Sequence, residues 1–518
     1  MKLSRRRFSK FLFFSFSVFS SRTGFSALYS EAGTDNRFHP IARLNVVNSF
    51  DELRELVPRN EGQCIELKSW HQGLNEGSGE FIAVKGYIEH DDGGTLAKVN
   101  NEWFWKRIIK GHYTPEMYGA VGNGVFDDYK YFQKMLDSIP SNAVVMLDGK
   151  KVYYNNFSGR ENKANIWTLT KPITIFANSA LLTRRTPKRI GTKDNKSSVL
   201  KLSGDGPFNL YNLRIEGANP IGKIKNHLKQ DTDISGYAIC DCQDFGVHII
   251  NANNIKIVNA DISCCSFNIW VESSSNIKIT GNLHHSGQVV PNITAKDLAY
   301  GAGVKILNSR NFNIDVEGRY NTNATVEVEP NNSFGNVRVL SFDNLSNGLV
   351  IYNSNNIQFY SYTKNTIQGN GTFIISNNGK IETGNIKGTS ITEGCSWVGT
   401  YVQLKGDSGF NVSNIDLVCV SSLCDNYGLV IENKSTKSLE NVRIDYRGES
   451  NSTVKKGFDM KVIGDVAGEI KGSIRKSLNG VFFDGNEMNR LNVKLDLSEI
   501  KFKHYQMGSV VKARFTDK

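Results

Sequence analysis

Proline, cysteine and unbroken apolar stretches are all scarce in this chain of 518 residues. Ten prolines are too few for a proline-rich linker protein. Eight cysteines over this length exclude a small disulfide-built scaffold. No CxxC pair occurs, and the CxC at Cys240 and Cys242 lacks the second pair that a zinc site needs. Beyond the N-terminus no run of about 18 apolar residues is present, so no integral membrane helix is expected in the mature chain. Concentrated positive charge is missing too. Of the net +11, six charges come from Lys2, Arg5, Arg6, Arg7, Lys10 and Arg22, in a segment without acids. The remainder is scattered, which argues against nucleic acid as a partner. There is no Walker loop, GxSxG elbow or GxGxxG unit, and no clustered Asp set for calcium. Neither a cofactor nor a metal is expected.

What the chain does have begins at its N-terminus. Arg5, Arg6 and Arg7 precede a short apolar run from Phe11 to Phe19, too short to anchor a spanning helix. Ser4–Lys10 resembles a twin-arginine export signal, which implies a periplasmic or secreted protein. Glycine (47 residues), Asn and Ser then supply the turns of an all-β chain. One motif recurs: Asn254-Ile255-Lys256-Ile257, Asn276-Ile277-Lys278-Ile279, Asn311-Phe312-Asn313-Ile314, Asn336-Val337-Arg338-Val339, Asn356-Ile357-Gln358-Phe359, Asn414-Ile415-Asp416-Leu417 and Asn441-Val442-Arg443-Ile444. Its closest spacings are 20, 22, 25 and 27 residues, with a gap of 35 where a loop enters. Alternating strands at this period predict a right-handed parallel β-helix, a solenoid, rather than a propeller or a hairpin sandwich. Asn at the turn suits a left-handed backbone and side-chain ladders between coils. Cys240 and Cys264, and Cys242 and Cys265, are 24 and 23 residues apart, near one coil; a buried thiol ladder is the preferred reading over disulfides.

Ahead of the coils, Tyr118-Gly119-Ala120-Val121-Gly122-Asn123-Gly124-Val125-Phe126-Asp127-Asp128 leads into Tyr129, Phe132, Met135 and Leu136 at helical spacing. Asp127 can cap this helix, whose apolar stripe can cover the open first coil. The segment resembles the entry motif of the pectate-lyase-like superfamily, with Tyr118 and Asn123 as departures from its Phe and Asp. Glu52-Leu53-Arg54, Trp70-His71-Gln72-Gly73, Gly77–Phe81, Asp92–Thr95 and Trp105-Lys106-Arg107 resemble the small domain before the β-helix of phage tailspikes. With the export signal, the layout is similar to that of the β-helix protein of colanic-acid clusters. These resemblances imply a polysaccharide partner and no particular reaction. Tailspikes of this layout are trimers, which leaves a trimer open here, although Lys501–Lys518 offers no heptad. The expected organisation is a signal peptide over 1–27, a linker over 28–45, a small β-rich domain over 46–113 and the β-helix over 114–500. Coils are recognisable from about Ser198 to Ile500, and a tail covers 501–518.

Aligning coils on the Asn turn, with about three extra residues before Asn336, gives two outward columns. One holds His248, Trp270, Lys305, Glu327 and Val350; the other Ile250, Glu272, Leu307, Glu329 and Tyr352. Outward neighbours on one strand stand roughly 6.6 Å apart and residues two coils apart roughly 9.6 Å, near the roughly 5–9.5 Å of paired carboxylates in glycoside hydrolysis. Glu272, Glu327 and Glu329 are therefore the candidate acid/base residues. Trp270 is expected to stack on a sugar and Lys305 to meet an acidic one, with His248, His284 and Tyr352 as further substrate contacts. Adjacent His284 and His285 on a strand would face opposite ways, so at most one is expected to meet a ligand. Three readings stand at this point: a hydrolase cleaving exopolysaccharide, a polysaccharide lyase, and a non-catalytic binding or scaffold protein of exopolysaccharide biosynthesis.

Overall fold

The computed structural model describes residues 45–517 apart from 157–165, 185–195, 226–232, 239–242, 288–300, 378–382, 406–411, 453–456, 486–489 and 508–511. The expected signal peptide and linker, Cys240 and Cys242 lie outside the described residues.

A small sheet comes first. Strands Asn45–Val47, Cys64–Leu67, Gly79–Lys85, Trp103–Arg107 and Leu96–Lys98 lie side by side in that order, around a core of Phe50, Leu53, Ile65, Phe81 and Trp105. Arg107 is buried and spends its guanidinium on the carbonyls of Gly77, Ser78 and Gly94, which ties three loop segments together. Trp70 of this domain packs edge-on against Tyr131 of the following helix, with ring centroids 5.3 Å apart.

That helix, Tyr129–Ser138, buries Phe132, Met135 and Leu136. Phe132 meets Tyr153 and Trp167 of the first coils at 5.3 and 5.1 Å, so the helix lids the apolar end of the solenoid. Asp127 accepts the Tyr129 N–H. Asp128, at the N-cap position, instead accepts from Val121, Gly122 and Tyr154 and fastens the glycine loop to the first coil.

Among the described residues 29 strands then join into one continuous ladder, whose coil-to-coil pairs are parallel; this is a right-handed parallel β-helix. Coils start earlier and end later than the repeat suggested. Ala143–Met146 already pairs with Ile173–Phe176, and Lys512–Asp517 pairs with Leu491–Ser498, so described residues after 500 continue the coils. Inward side chains stack in files, such as Ile255, Ile277 and Phe312, within one long apolar core. Gly335 follows Phe312 in that file, and a Cβ there would strike the Phe312 ring.

The corner before each file is left-handed. Asn254, Asn276, Asn311, Asn356, Asn385, Asn414 and Asn441 have φ between 50° and 60°, a region Asn tolerates better than most residues. Their amides form the ladder: Asn276 donates to Asn254, Asn311 to Asn276, Asn414 to Asn385 and Asn441 to Asn414, at 2.9–3.3 Å. Asn336 breaks the pattern. It pairs with Asn313 inside the strand, and Phe334, at φ 58°, takes the corner. This offset of two accounts for most of the extra length placed before Asn336.

Asn414→Ala removes two ladder bonds and places Ala in a left-handed corner, so it should destabilise by about 1–2 kcal/mol in urea unfolding. Asn414→Gly keeps the corner relaxed and should lose less. Equal losses would show that corner geometry contributes nothing.

Candidate functional site

The site lies on the sheet of short strands Phe267–Glu272, Ala302–Leu307, Ala324–Val328 and Leu349–Tyr352. Because these pair in parallel, residues distant in sequence meet in file: His248 with Trp270, Trp270 with Lys305, Lys305 with Glu327, and Glu327 with Val350. Glu272 pairs with Leu307, and the Glu329 N–H continues the pairing onto the Ile306 carbonyl. Glu272 and Glu329 therefore flank Leu307 in the second column, two coils or roughly 9.6 Å apart along the backbone.

Lys305 organises the first column. Its Nζ stands 3.0 Å from Glu327 Oε2 and 3.0 Å from Glu329 Oε1, with a directed hydrogen bond to Glu329. Toward Glu327 the geometry is that of an ion pair. The ammonium also lies 5.4 Å from the Trp270 ring centroid and 5.5 Å from that of Phe267, a cation–π setting. Burial alone would lower the Lys305 pKa, but the charges of Glu327 and Glu329 outweigh it and raise it. Glu327 is shifted upward, chiefly because burial penalises its charge; Lys305 opposes that and Glu329 adds to it. Asn323 donates its amide to Glu327.

Burial changes the roles expected for several residues. Glu327 points away from the coil core yet is only 1% exposed, whereas Glu329 keeps 22%. Glu327 thus cannot touch a solvent-borne sugar in this conformation; it touches Lys305 and Asn323 instead. Trp270 is not the open stacking platform expected. At 7% exposure it stacks on Phe245 at 4.8 Å, meets Phe267 edge-on at 4.9 Å and sends its indole N–H to Glu272 at 3.2 Å. His248 is buried edge-on against Phe245 at 5.1 Å. Tyr352, half-buried, ends the strand that pairs with Ala324–Val328. His284 lies on another sheet, in the strand Ser275–His284. His285, expected to face away from it, turns back at a left-handed corner, and the two Nδ1 atoms meet at 2.7 Å.

Sequence reasoning missed the aromatic layer of Phe245 and Phe267, and Asn323. It also missed a second carboxylate cluster farther along the same sheet. There Tyr401 and Gln403 donate to Glu432, Lys434 pairs with it at 2.9 Å, and Tyr401 stacks on Phe373. Continuing the columns through the wider 29-residue step from Asn356 to Asn385 would have found it.

Residues 46–110 match the family described as phage tail protein small four-stranded beta-sheet domain. With that domain ahead of a parallel β-helix, the chain is tailspike-like in layout. Over 93 residues (18% of the chain) it is 37% identical to the Mu-like prophage FluMu defective tail fiber protein of Haemophilus influenzae. It is 34% identical over 83 residues (16%) to the amylovoran biosynthesis protein AmsF of Erwinia amylovora. Over 80 residues (15%) it is 28% identical to a K2-specific capsule depolymerase of a Klebsiella phage. These matches span only 15%, 11% and 14% of those proteins' own lengths.

The raised Glu327 pKa has a stability signature. The folded state holds this proton more tightly than the unfolded one, whose ordinary value is 4.5. Between 4.5 and the raised folded value the native state binds more protons, so stability falls as pH rises. Glu327→Gln removes the titrating group. Urea unfolding in steps from pH 4.5 to 7 should show a steeper fall for the wild type, and identical slopes would contradict the assignment.

Proposed function

We propose that the protein acts on polysaccharide and cleaves exopolysaccharide by glycoside hydrolysis on the Lys305 face, in the periplasm or outside the cell. The observation that carries this reading is the Lys305 ammonium fixed 3.0 Å from Glu329 beside the outward Glu272. The names of two relatives, an amylovoran biosynthesis protein and a capsule depolymerase, support the substrate class. Glu329, hydrogen-bonded by Lys305, takes a proton from water as that water attacks the anomeric carbon. Glu272 gives a proton to the departing glycosidic oxygen. Their backbones stand two coils, roughly 9.6 Å, apart; a wide carboxyl pair leaves room for the water, and on this reading the anomeric centre is inverted. Glu327 and Asn323 keep Lys305 in place.

One observation favours the non-catalytic alternative, a scaffold that holds exopolysaccharide during its synthesis or export. Trp270 and Glu327 are covered, as in a closed structural network. Incubation of purified protein with host exopolysaccharide separates the readings. Hydrolysis yields new reducing ends of inverted configuration, and Glu329→Gln or Glu272→Gln should slow their release by about 10²–10⁴-fold. Binding without new ends supports the scaffold, and unchanged cleavage in both variants removes these glutamates from the chemistry.

A further inference from the structure

A second set of left-handed corners ends the long strands, at Tyr320, Asp343, Asn365, Gly394, Leu423 and Ser450. The residue after each corner is buried: Asn321, Asn344, Thr366, Cys395, Cys424 and Asn451 on successive coils. Bonding along this file repeats, the backbone N–H of one coil donating to the side chain of the next. Ser286 donates to Asn321 at 3.1 Å, Asn321 to Asn344 at 3.0 Å and Cys424 to Asn451 at 3.0 Å. In the middle of the file the acceptors are sulfurs. The Thr366 N–H donates to Cys395 Sγ, and the Cys395 N–H to Cys424 Sγ.

Cys395 and Cys424 are neighbours in the ladder. Glu393 pairs with Ser422, and the pairing runs on through two bonds of 2.9 Å, from the Gly394 N–H to the Ser422 carbonyl and from the Asp425 N–H to the Cys395 carbonyl. Such neighbours stand about 4.8 Å apart between strands, inside the roughly 4.4–6.8 Å between Cα atoms that a disulfide spans. Donors gather on one of the two sulfurs. The Cys395 thiol and the Thr392 hydroxyl both donate to Cys424, and Ser421 Oγ lies 3.3 Å from its Sγ. The bond from Cys395, ahead of the opposing burial, holds the Cys424 pKa below its ordinary value. That same bond, followed by burial, pushes Cys395 up. Cys419, ruled by burial, is pushed up to about 12. The pair is covered but shallow: adjoining Leu423 is 55% exposed and Trp397 49%.

We propose that Cys395 and Cys424 are a redox pair, which a peroxide closes into a disulfide between two coils of the folded chain. The Cys424 thiolate attacks one peroxide oxygen and the O–O bond breaks. The hydroxide that leaves takes up the proton Cys424 gave up on ionising, and Cys424 is left as a sulfenic acid. The Cys395 sulfur then attacks the Cys424 sulfur. The S–S bond forms, the S–O bond breaks, and the Cys395 proton departs with the hydroxyl as water. Two electrons pass from the sulfurs to the peroxide, which ends as two waters. The bond staples the coils just ahead of strands Val398–Lys405 and Tyr427–Lys434, whose register sets Gln403 against Glu432. It depends neither on a polysaccharide nor on Glu329.

The test treats the folded full chain with hydrogen peroxide, blocks the remaining thiols in denaturant and maps peptides without reduction. A joined Cys395–Cys424 peptide pair, two hydrogens lighter than its parts, is expected, and a thiol reductant should separate it. Exposed Cys64 calibrates the dose. Full oxidation of Cys64 without that joined pair overturns the proposal, and so does Cys424 joined to Cys419. Serine already fills this file at Ser286 and Ser477, so Cys395→Ser and Cys424→Ser should fold. In Cys395→Ser, dimedone should trap sulfenic acid at Cys424. In Cys424→Ser its labelling of Cys395 should be at least about 10-fold slower, and equal labelling overturns the order of attack. The oxidised wild type should need more urea to unfold than the reduced one, with no such gain in Cys395→Ser. Equal midpoints for oxidised and reduced wild type overturn the staple.

Discussion

Every side-chain cluster described on the β-helix depends on one constraint, the parallel hydrogen-bonded register between successive coils. A slip of one residue would send each file to the opposite face. The register places Lys305 between Trp270 and Glu327, although 35 and 22 residues of chain separate them. It also stacks His285 on Tyr320. Left-handed corners hold that register, since each fixes where one strand stops and the next face begins.

Within that frame the Lys305 cluster is a costly arrangement. An ammonium and a carboxylate are taken out of water beneath aromatic rings, which is tolerable only because the two charges compensate. Glu329 adds a second carboxylate at the more exposed edge. The neighbouring sheet handles charge differently: Asp261 and Arg319 lie at a half-open cavity, Asp261 beside His284 Nε2 at 3.2 Å and Arg319 paired with Glu317 at 3.0 Å.

The fold was legible because its period is written in the sequence by Asn corners and alternating apolar residues. The columns through Trp270, Lys305, Glu327 and Glu329 follow from the same count. Their burial was not legible. Alternation tells whether a side chain leaves the coil core, but not what lies over it. Phe245 and Phe267 share the inward parity of their strands, yet at the strand starts they wrap onto Trp270. The pairing of His284 with His285 was hidden for a related reason. Alternation holds within a strand and fails at a left-handed corner, where His285 sits. The shift at Asn336 arose because Phe334 occupies a corner that Asn fills elsewhere.

Phe334 also has a mechanical consequence. Bonds between coils run along the solenoid axis, so a pull on its ends loads the coil interfaces in series, and the weakest yields first. Phe334 has no amide to pass the ladder on from Asn311 to Asn356. The interface between the Asn311 and Phe334 coils keeps an amide contact at another corner, Asn331 to Asn308 at 2.9 Å, and adds ion pairs: Lys305 to Glu327, and Arg338 to Asp315 at 2.8 Å. Of these two pairs Lys305–Glu327 is buried and only Arg338–Asp315 is open to screening, so brine should soften this joint little more than its neighbours.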